Sequence, residues 1–243
     1  DIYKFYVGTS YRHLTIWDKG EVVDLTPPHD VLGQKIGQYL PKDDKLREMM
    51  KKSYDILSNH PINVERMKRG LNPANSLWFW GAGTRPMLTS FEEKTGHKGA
   101  MISAVDLLKG IAVGAGMKVI EVEGANGGLD TNYEGKADAA VDVLLNGGCD
   151  FAYIHLEAPD EMGHQGSYER KVKAIENLDK RIIKRVVEKM EAAGEDFRML
   201  VLPDHPTPVA IRTHVSDPVP YMLYDSTDKK NNTWSYNEKD GEA

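Results

Sequence analysis

The stretch DFAYIHLEAPDEMGHQG, residues 150–166, decides the fold class. Its first half is a short apolar and aromatic run, which predicts a buried strand. Its second half places Asp160 and His164 four positions apart, directly after that strand. The arrangement returns in FRMLVLPDHP, residues 197–206, where Asp204 and His205 follow another apolar run. Two predicted strands therefore each end in acid and imidazole side chains.

The segments around these two stretches alternate between strand and helix patterns. From the chain's middle onward the predicted order is strand 99–104, helix 104–116, strand 118–124, helix 132–148, strand 150–158, helix 167–195 and strand 197–204. The last helix carries an apolar stripe, Val172, Ile175, Leu178, Ile182, Val186 and Met190. This order predicts an α/β fold with a mostly parallel sheet covered by helices on both faces.

The first part of the chain has a different pattern. Residues 5–25 predict a hairpin about the turn WDKGE, and 43–61 predict a helix stopped by Pro61. SLWFW, residues 76–80, predicts a short buried strand. We therefore expect a smaller α+β domain over residues 1–95, a larger domain over 96–225, and a polar, solvated tail over 226–243.

Composition excludes several functional classes. The 243 residues carry a net charge of −6 with 31 dispersed lysines and arginines, which argues against a nucleic-acid partner. No apolar run reaches the roughly 20 residues that span a bilayer, so no membrane partner is expected. Cys149 is the single cysteine, which fits a reducing compartment such as the cytoplasm.

The acid and imidazole residues point to a metal site. In open α/β sheets, ligands bind at the carboxyl ends of strands. Two aspartates and three histidines are expected at that edge: Asp160, His164, Asp204, His205 and His214. Aspartate with histidine is a ligand set of Zn²⁺ and Mn²⁺. A single histidine is more simply a hydrogen-bonded residue, so the shared placement carries this prediction. The Asp160–His164 pair is expected in an extended loop, where the two side chains can converge. The side chains of adjacent Asp204 and His205 would point apart, unless a turn between them directs both to one ion or each to a different ion.

Four other features have simpler interpretations. GANGGLD, residues 124–130, lacks the Lys-Ser/Thr of a phosphate-binding loop and predicts a tight turn. Lys136 could reach a phosphate but is more simply a solvated lysine. Arg212 could contact a metal ligand without binding the ion itself, or could be structural. His155 is expected to face a packed surface or to hydrogen-bond a ligand.

Several stretches together resemble a known family. EAPDEMGHQG, VLPDHPTP and RTHVSDPVPYMLY closely resemble 2,3-bisphosphoglycerate-independent phosphoglycerate mutases of the archaeal type, which are alkaline phosphatase-like metalloenzymes. The resemblance extends through SYRHL, PPHD, NPANSLWFWG, GAMISAVDLLKGIA and DTNYEGKADAA, and so covers nearly the whole chain. Some relatives have also been labelled proposed homoserine kinases.

The resemblance implies a site with two divalent metal ions, usually Mn²⁺ and sometimes Zn²⁺ or Mg²⁺. It assigns one ion to Asp160, His164 and His214, and the other to Asp204 and His205. An aspartate and a nucleophilic serine near the family's N-terminus complete the second ion's ligands. That serine passes a phosphoryl group between the two hydroxyls of phosphoglycerate, through a phosphoserine intermediate.

The resemblance also implies what this chain lacks. Nothing in residues 1–60 matches the family's Asp-Gly strand end and nucleophilic serine, and Ser10 belongs to the inserted-domain part of the match. We therefore expect a C-terminal fragment without a catalytic nucleophile, whose partner is the missing N-terminal segment of the same polypeptide. Arg12 and Arg85 are candidates to bind the carboxylate or phosphate of the substrate, or are structural ion-pair residues. A phosphomonoesterase, another phosphomutase and the homoserine kinase remain alternatives.

Overall fold

The computed structural model describes residues 2–8, 11–31, 33–228 and 235–241. The chain divides into two units, Asp1–Pro86 and Met87–Ala243. The predicted division at residues 95 and 225 into inserted domain, returning half and tail stays a prediction. No helix in the described ranges combines the length and apolar character needed to cross a bilayer.

The first unit contains one hairpin and two helices. Strands β1 (Tyr3–Tyr6) and β2 (Leu14–Trp17) pair antiparallel. The connection is therefore residues 7–13, and the prediction of a hairpin about WDKGE was wrong. WDKGE does form a turn, at Asp18 and Lys19, but it follows β2. Helix α1 (Asp44–Leu57) is capped by the Asp43 carboxylate and α2 (Pro61–Lys68) follows it. Pro61 begins α2 instead of stopping α1, because proline lacks only an N–H that a first helical turn leaves unbonded.

The predicted strand SLWFW was also wrong, since residues 76–80 form no strand. This segment is held by side chains instead. The Ser53 hydroxyl accepts from the Leu77 N–H at 2.9 Å, and the Trp78 indole donates to the Thr26 carbonyl at 2.8 Å. The aromatic run therefore lies along α1 and the preceding loop without pairing in a sheet.

The second unit contains the parallel sheet predicted for the α/β class, with strand order β4-β3-β5. Its strands are β3 (Gly99–Ile102), β4 (Lys118–Val119) and β5 (Phe151–Ile154). Helix α3 (Phe91–Thr95) precedes β3, α4 (Asp106–Gly114) joins β3 to β4, and α5 (Tyr133–Leu145) joins β4 to β5. Each connection is a strand–helix–strand crossover, as parallel pairing requires.

After β5 the chain forms four consecutive helical segments. They are α6 (Ala158–His164), α7 (Tyr168–Leu178), a π-helical segment (Asp179–Ile183) and α8 (Lys184–Ala193). The predicted stripe along 167–195 is buried only in its second half: Ile182, Val186 and Met190 are buried, but Val172 and Ile175 are exposed. The π segment adds a residue to the repeat, which rotates the face before it by about 100° relative to the face after it.

Strand β6 (Arg198–Val201) pairs antiparallel with β7 (Met222–Asp225), and these two strands form a sheet of their own, separate from β4-β3-β5. The short helix α9 (Glu238–Gly241) lies in the predicted tail. The tail is not wholly solvated, because the Tyr236 hydroxyl donates to the Pro220 carbonyl at 3.3 Å. Residues 229–234 and 242–243 lie outside the described ranges.

The core of the second unit lies between α5 and α8. Tyr133, Ala137 and Val141 on α5 pack against Ile182, Val186 and Met190. Partly buried residues of β5 and β6, Ile154 and Met199, close this cluster. Burial of these apolar side chains stabilises the packing of α5 and α8 against the strands.

Paired charges line the outside of this helix contact. The Arg185 guanidinium donates to both oxygens of Asp138, at 2.6 and 2.8 Å, and Lys189 lies 2.8 Å from the same carboxylate. The hydrogen bonds from Arg185 lower the pKa of Asp138 to about 2. The Asp138 side chain is 39% exposed, so solvent weakens this interaction.

A fully buried lysine lies beneath the carboxyl end of β5. Lys136 on α5 is 0% exposed, so the interpretation as a solvated lysine was wrong. Its Nζ donates to the His155 carbonyl at 3.0 Å and lies 3.6 Å from Glu157 Oε2. Burial lowers the pKa of Lys136, although the charge of Glu157 opposes this. Burial alone would raise the pKa of Glu157, but the hydrogen bond with His155 and the charge of Lys136 outweigh burial and lower it.

We predict that Asp138→Asn lowers the free energy of unfolding by about 1 kcal/mol or less at pH 7, because the pair is partly exposed. The folded-state pKa lies below the unfolded value. The stabilisation is therefore complete above about pH 4 and is lost as pH falls through the folded pKa of about 2. Urea unfolding of both proteins between pH 7 and pH 2 measures the difference. Asp142→Asn on the same helix is the control, since Asp142 pairs with the neutral Asn146. A difference as large at pH 2 as at pH 7 would contradict the assignment.

We predict that Lys136→Met lowers the free energy of unfolding by about 3–5 kcal/mol, because it leaves Glu157 charged and uncompensated in a buried position. The double variant Lys136→Met with Glu157→Gln should recover a substantial part of that loss. Urea unfolding at pH 7 of the wild type and the three variants completes the cycle. If the single Lys136 variant unfolds like the wild type, Lys136 is not the counter-ion of Glu157.

Candidate metal centre

Helix α6 presents Asp160 and His164 on one face. The two residues are spaced i and i+4, which places side chains above one another on a helix. The prediction of an extended loop here was wrong. Pro159 occupies the first turn of α6, where proline is tolerated, and Ala158 and Met162 are buried against α7, which favours the helical conformation.

The loop between β6 and β7 brings His214 to this face. His214 Nε2 lies 3.2 Å from Asp160 Oδ1 and 3.0 Å from His164 Nε2. His164 Nε2 in turn lies 3.3 Å from Asp160 Oδ2. The ligand atoms of these three residues all lie within 4.8 Å of one another. The structure therefore assembles a triangle of one carboxylate and two imidazoles from segments about 50 residues apart in the chain.

The tautomer of His164 follows from the contact that its Nδ1 makes outside the triangle. His164 Nδ1 lies 3.0 Å from the carbonyl oxygen of Arg212. A carbonyl oxygen only accepts, so Nδ1 carries the proton, and in the neutral ring Nε2 presents its lone pair to the triangle. This is the usual support of a metal-binding histidine, whose second nitrogen donates to a carbonyl or carboxylate.

Arg212 reaches this position through an uncommon backbone conformation. Its φ is +56°, in the left-handed region that residues other than glycine rarely adopt. Gly166 accommodates the Arg212 side chain: its φ is +70°, and a Cβ there would lie 2.3 Å from the Arg212 Nε. Arg212 therefore supports the triangle through its carbonyl, in line with the supporting role considered for it.

The triangle has the dimensions of a metal-ligand set. Ions held by nitrogen and oxygen at about 2.0–2.2 Å separate neighbouring ligand atoms by about 3.0 Å in octahedral and about 3.4 Å in tetrahedral geometry. The three contacts here are 3.0, 3.2 and 3.3 Å, with the two longer ones ending on different oxygens of Asp160. With one ligand atom per residue, all three atoms lie within 4.8 Å of one another. An acceptor-only carboxylate facing two imidazole nitrogens is the chemistry that Zn²⁺ and Mn²⁺ bind. The donors therefore fit a divalent transition-metal ion.

His205 joins this group, whereas Asp204 faces solvent. The His205 and His214 ring centroids lie 3.8 Å apart with 36° between their planes. Asp204 Oδ2 is 3.7 Å from His205 Nε2, but the Asp204 side chain is 84% exposed. The structure thus brings four of the five predicted ligands together and leaves the Asp204 carboxylate at the rim. Metal ligation by the five residues stays a prediction.

Thr207 is a contact residue that the sequence reasoning missed. It is buried, its hydroxyl donates to Asp160 Oδ1, and it lies 3.4 Å from His205 Nδ1. Lys171 on α7 donates to the Thr207 carbonyl at 2.6 Å. Burial lowers the pKa of Lys171, and the charge of Asp160 opposes this. No sequence signal marked Thr207, because its role depends on the fold of the loop against α6.

His155 binds none of the five predicted ligands. Its Nδ1 lies 3.1 Å from Glu157 Oε1 and 3.3 Å from the Ser103 hydroxyl, at the ends of β5 and β3. Glu157 precedes α6 directly, so this contact holds the turn between strand and helix. The residues GANGGLD form no regular element, in line with the predicted turn.

The two candidate substrate-binding arginines lie in the first unit. Arg12 is exposed, and its guanidinium carbon lies 4.9 Å from the centre of the Tyr11 ring. Arg85 is exposed, with no hydrogen bond or ion pair to any residue within the described ranges. The alternative of structural ion pairs thus has no support among these contacts, and binding of substrate stays a prediction. Ser10 lies outside the described residues.

Three comparisons place the chain among known proteins. It is 52% identical to the 2,3-bisphosphoglycerate-independent phosphoglycerate mutase of Methanosarcina barkeri, over 93% of this chain and 57% of that protein's length. A solved structure of a Pyrococcus horikoshii protein matches with a TM-score of 0.68 and 33% identity, over 82% of this chain and 51% of the other. The structure of a cofactor-independent phosphoglycerate mutase from Thermoplasma acidophilum matches with a TM-score of 0.54 and 25% identity, over 98% and 59% of the two chains.

The chain thus spans a little over half the length of the curated relative, and its α/β fold agrees with both solved structures. The model of the metalloenzyme superfamily matches residues 12–241, which cover most of both units and all of the residues of the triangle. The chain therefore belongs to the metalloenzyme superfamily.

Proposed function

We propose that Asp160, His164 and His214 bind one divalent metal ion, Mn²⁺ first among the candidates and Zn²⁺ or Mg²⁺ as substitutes. The observation that carries this proposal is the close approach of the three side chains: His164 Nε2 and His214 Nε2 lie 3.0 Å apart, and each lies 3.2–3.3 Å from one oxygen of Asp160. Without a cation or a shared proton, atoms that only accept would repel one another at this distance.

A second ion is assigned to Asp204 and His205, together with residues outside these 243. Its support is the position of His205 against His214 and the open, exposed carboxylate of Asp204. Two ligands leave most of a coordination shell to be supplied, so this chain by itself should bind the second ion weakly.

The proposed activity is interconversion of 3-phosphoglycerate and 2-phosphoglycerate by the longer polypeptide, as in the mutases to which the chain is similar. Divalent ions at such a site supply charge stabilisation for the phosphoryl oxygens and lower the pKa of the nucleophile. The chain's own residues have separate tasks in this proposal. Asp160, His164 and His214 fix the position of one ion, and Arg212 and Thr207 hold two of these ligands in place.

Arg12 and Arg85 are proposed to bind the carboxylate or phosphate of the substrate. Both guanidinium groups are exposed, and a planar fork of donors suits either anion. The serine that accepts the phosphoryl group is assigned to the segment that the relatives have and these 243 residues do not match. We place the reaction in the cytoplasm, with the buried free thiol of Cys149 as the supporting observation.

We predict about one bound ion per chain after dialysis against Mn²⁺, and loss of that ion in His164→Ala. His164 supplies one corner of the triangle, so the remaining two ligands should hold the ion much more weakly. Elemental analysis of the dialysed proteins gives the stoichiometry, and parallel dialysis against Zn²⁺ or Mg²⁺ ranks the ions. His97→Ala is the matched control, since His97 lies in the same unit and pairs with Asp150 at 3.9 Å. Equal metal content in all three proteins would contradict the assignment.

We predict mutase activity when the matching N-terminal segment of the Methanosarcina barkeri relative is fused to this chain. Phosphorus NMR of 3-phosphoglycerate with Mn²⁺ should show 2-phosphoglycerate formed by the fusion and none formed by the 243 residues alone. The fusion with His164→Ala is the control and should be inactive. Release of inorganic phosphate in place of 2-phosphoglycerate would favour the phosphomonoesterase. Activity that requires ATP and homoserine would favour the kinase. Turnover by the 243 residues alone would show that the nucleophile lies within them.

A further inference from the structure

Thr207 connects the parts of the candidate metal centre that the sequence keeps apart. Its hydroxyl donates to Asp160 on α6 and lies 3.4 Å from His205 Nδ1. Its carbonyl accepts from Lys171 on α7. One side chain and one peptide group thus join α6, α7 and the loop that follows β6.

The hydrogen bond to Asp160 determines how that carboxylate faces the histidines. Oδ1 accepts from Thr207 and lies 3.2 Å from His214 Nε2, while Oδ2 lies 3.3 Å from His164 Nε2. The terminal torsion of an aspartate is broad, so the carboxylate would otherwise rotate over a wide range. A donor on Oδ1 selects the rotation in which each oxygen faces one imidazole.

The position of Thr207 is itself closely constrained. Thr207 is 2% exposed, and its carbonyl oxygen would lie 2.4 Å from a Cβ at Gly163. Only glycine at position 163 lets the loop approach α6 this closely. The Lys171 ammonium donates to the same carbonyl at 2.6 Å and also lies close to Gly163. The hydroxyl is therefore held at one place relative to the carboxylate.

We propose that Thr207 is a positioning residue that orients the Asp160 carboxylate toward His164 and His214 before a metal ion binds. This inference rests on the proposed metal binding by the triangle. Thr207 acts through Asp160 and does not itself bind the ion. If the Asp160 carboxylate is already ordered, metal binding loses less conformational entropy. The Thr207 hydroxyl therefore raises the affinity for the metal ion.

The test compares Thr207→Val, which keeps the shape and removes the hydroxyl, with Thr207→Ser, which keeps the hydroxyl. We expect the valine variant to bind Mn²⁺ about 10–100-fold more weakly by calorimetric titration, as is typical when a residue supporting a metal ligand is removed. The serine variant should restore affinity to near the wild-type value. Thr131→Val is the matched control, because Thr131 is equally buried and its hydroxyl accepts the Asn126 N–H at 3.0 Å. That control should bind Mn²⁺ as the wild type does.

A second measurement uses the metal-free proteins. The ring carbon–proton NMR signals of His164 and His214 should move in Thr207→Val and stay in place in Thr207→Ser and Thr131→Val. Gly163→Ala should resemble Thr207→Val in both measurements, since the added methyl group pushes the loop from α6. Thermal unfolding of every variant shows whether the fold is retained.

The outcomes separate the two proposals. If the wild type binds Mn²⁺ and Thr207→Val binds it equally well, with unmoved histidine signals, the role of Thr207 is overturned and the metal site stands. If the wild type binds neither Mn²⁺ nor Zn²⁺, the metal site itself is overturned. If the serine variant fails to restore affinity although it is folded, the hydroxyl is not the group that matters and the proposal is again overturned.

Discussion

The buried charge of Lys136 is the constraint on which the carboxyl edge of the sheet depends. Its ammonium donates to the carbonyl of His155, the first residue after β5, and lies against Glu157, the N-cap residue at the start of α6. A charge so fully removed from water must be paired, so strand end and helix start are fixed relative to α5. The two metal-ligand candidates of α6 follow within seven residues of Glu157, and their direction is inherited from that turn.

The triangle is then completed from the far side by groups of several kinds. His214 supplies an imidazole, Arg212 a carbonyl and Thr207 a hydroxyl, all from the connection between β6 and β7. The connection approaches α6 closely because residues 163 and 166 are glycines, one where the loop's carbonyl passes and one where the Arg212 side chain lies. Small residues on α6 and just after it are thus as necessary to the geometry as the ligands.

Ion pairs join the solvent-facing sides of α5 and of the helical segments that pack on it. Arg181 and Arg185 each form two hydrogen bonds to a carboxylate of α5, at distances of 2.6–2.8 Å. These pairs are partly exposed and add little free energy, but they align α8 with α5 over the buried Ile182 and Val186. The alignment holds the core behind β5, and so holds the strand end from which α6 departs.

The sequence by itself determined the α/β class, the alternation of strands and helices in the second unit, and the five acid and imidazole residues to examine. Those features are local, since periodicity and strand-end placement are written in neighbouring residues. It misjudged the SLWFW segment and the burial of Lys136, because each depends on partners distant in the chain. It also misassigned two local signals, the turn of the first hairpin and Pro61. Only the tertiary structure decided that Asp160 and His164 share a helical face, that His214 meets them and that Thr207 orients the carboxylate. These contacts join residues up to about 50 positions apart, and distances of that kind are set by packing and by the close approach that glycine permits.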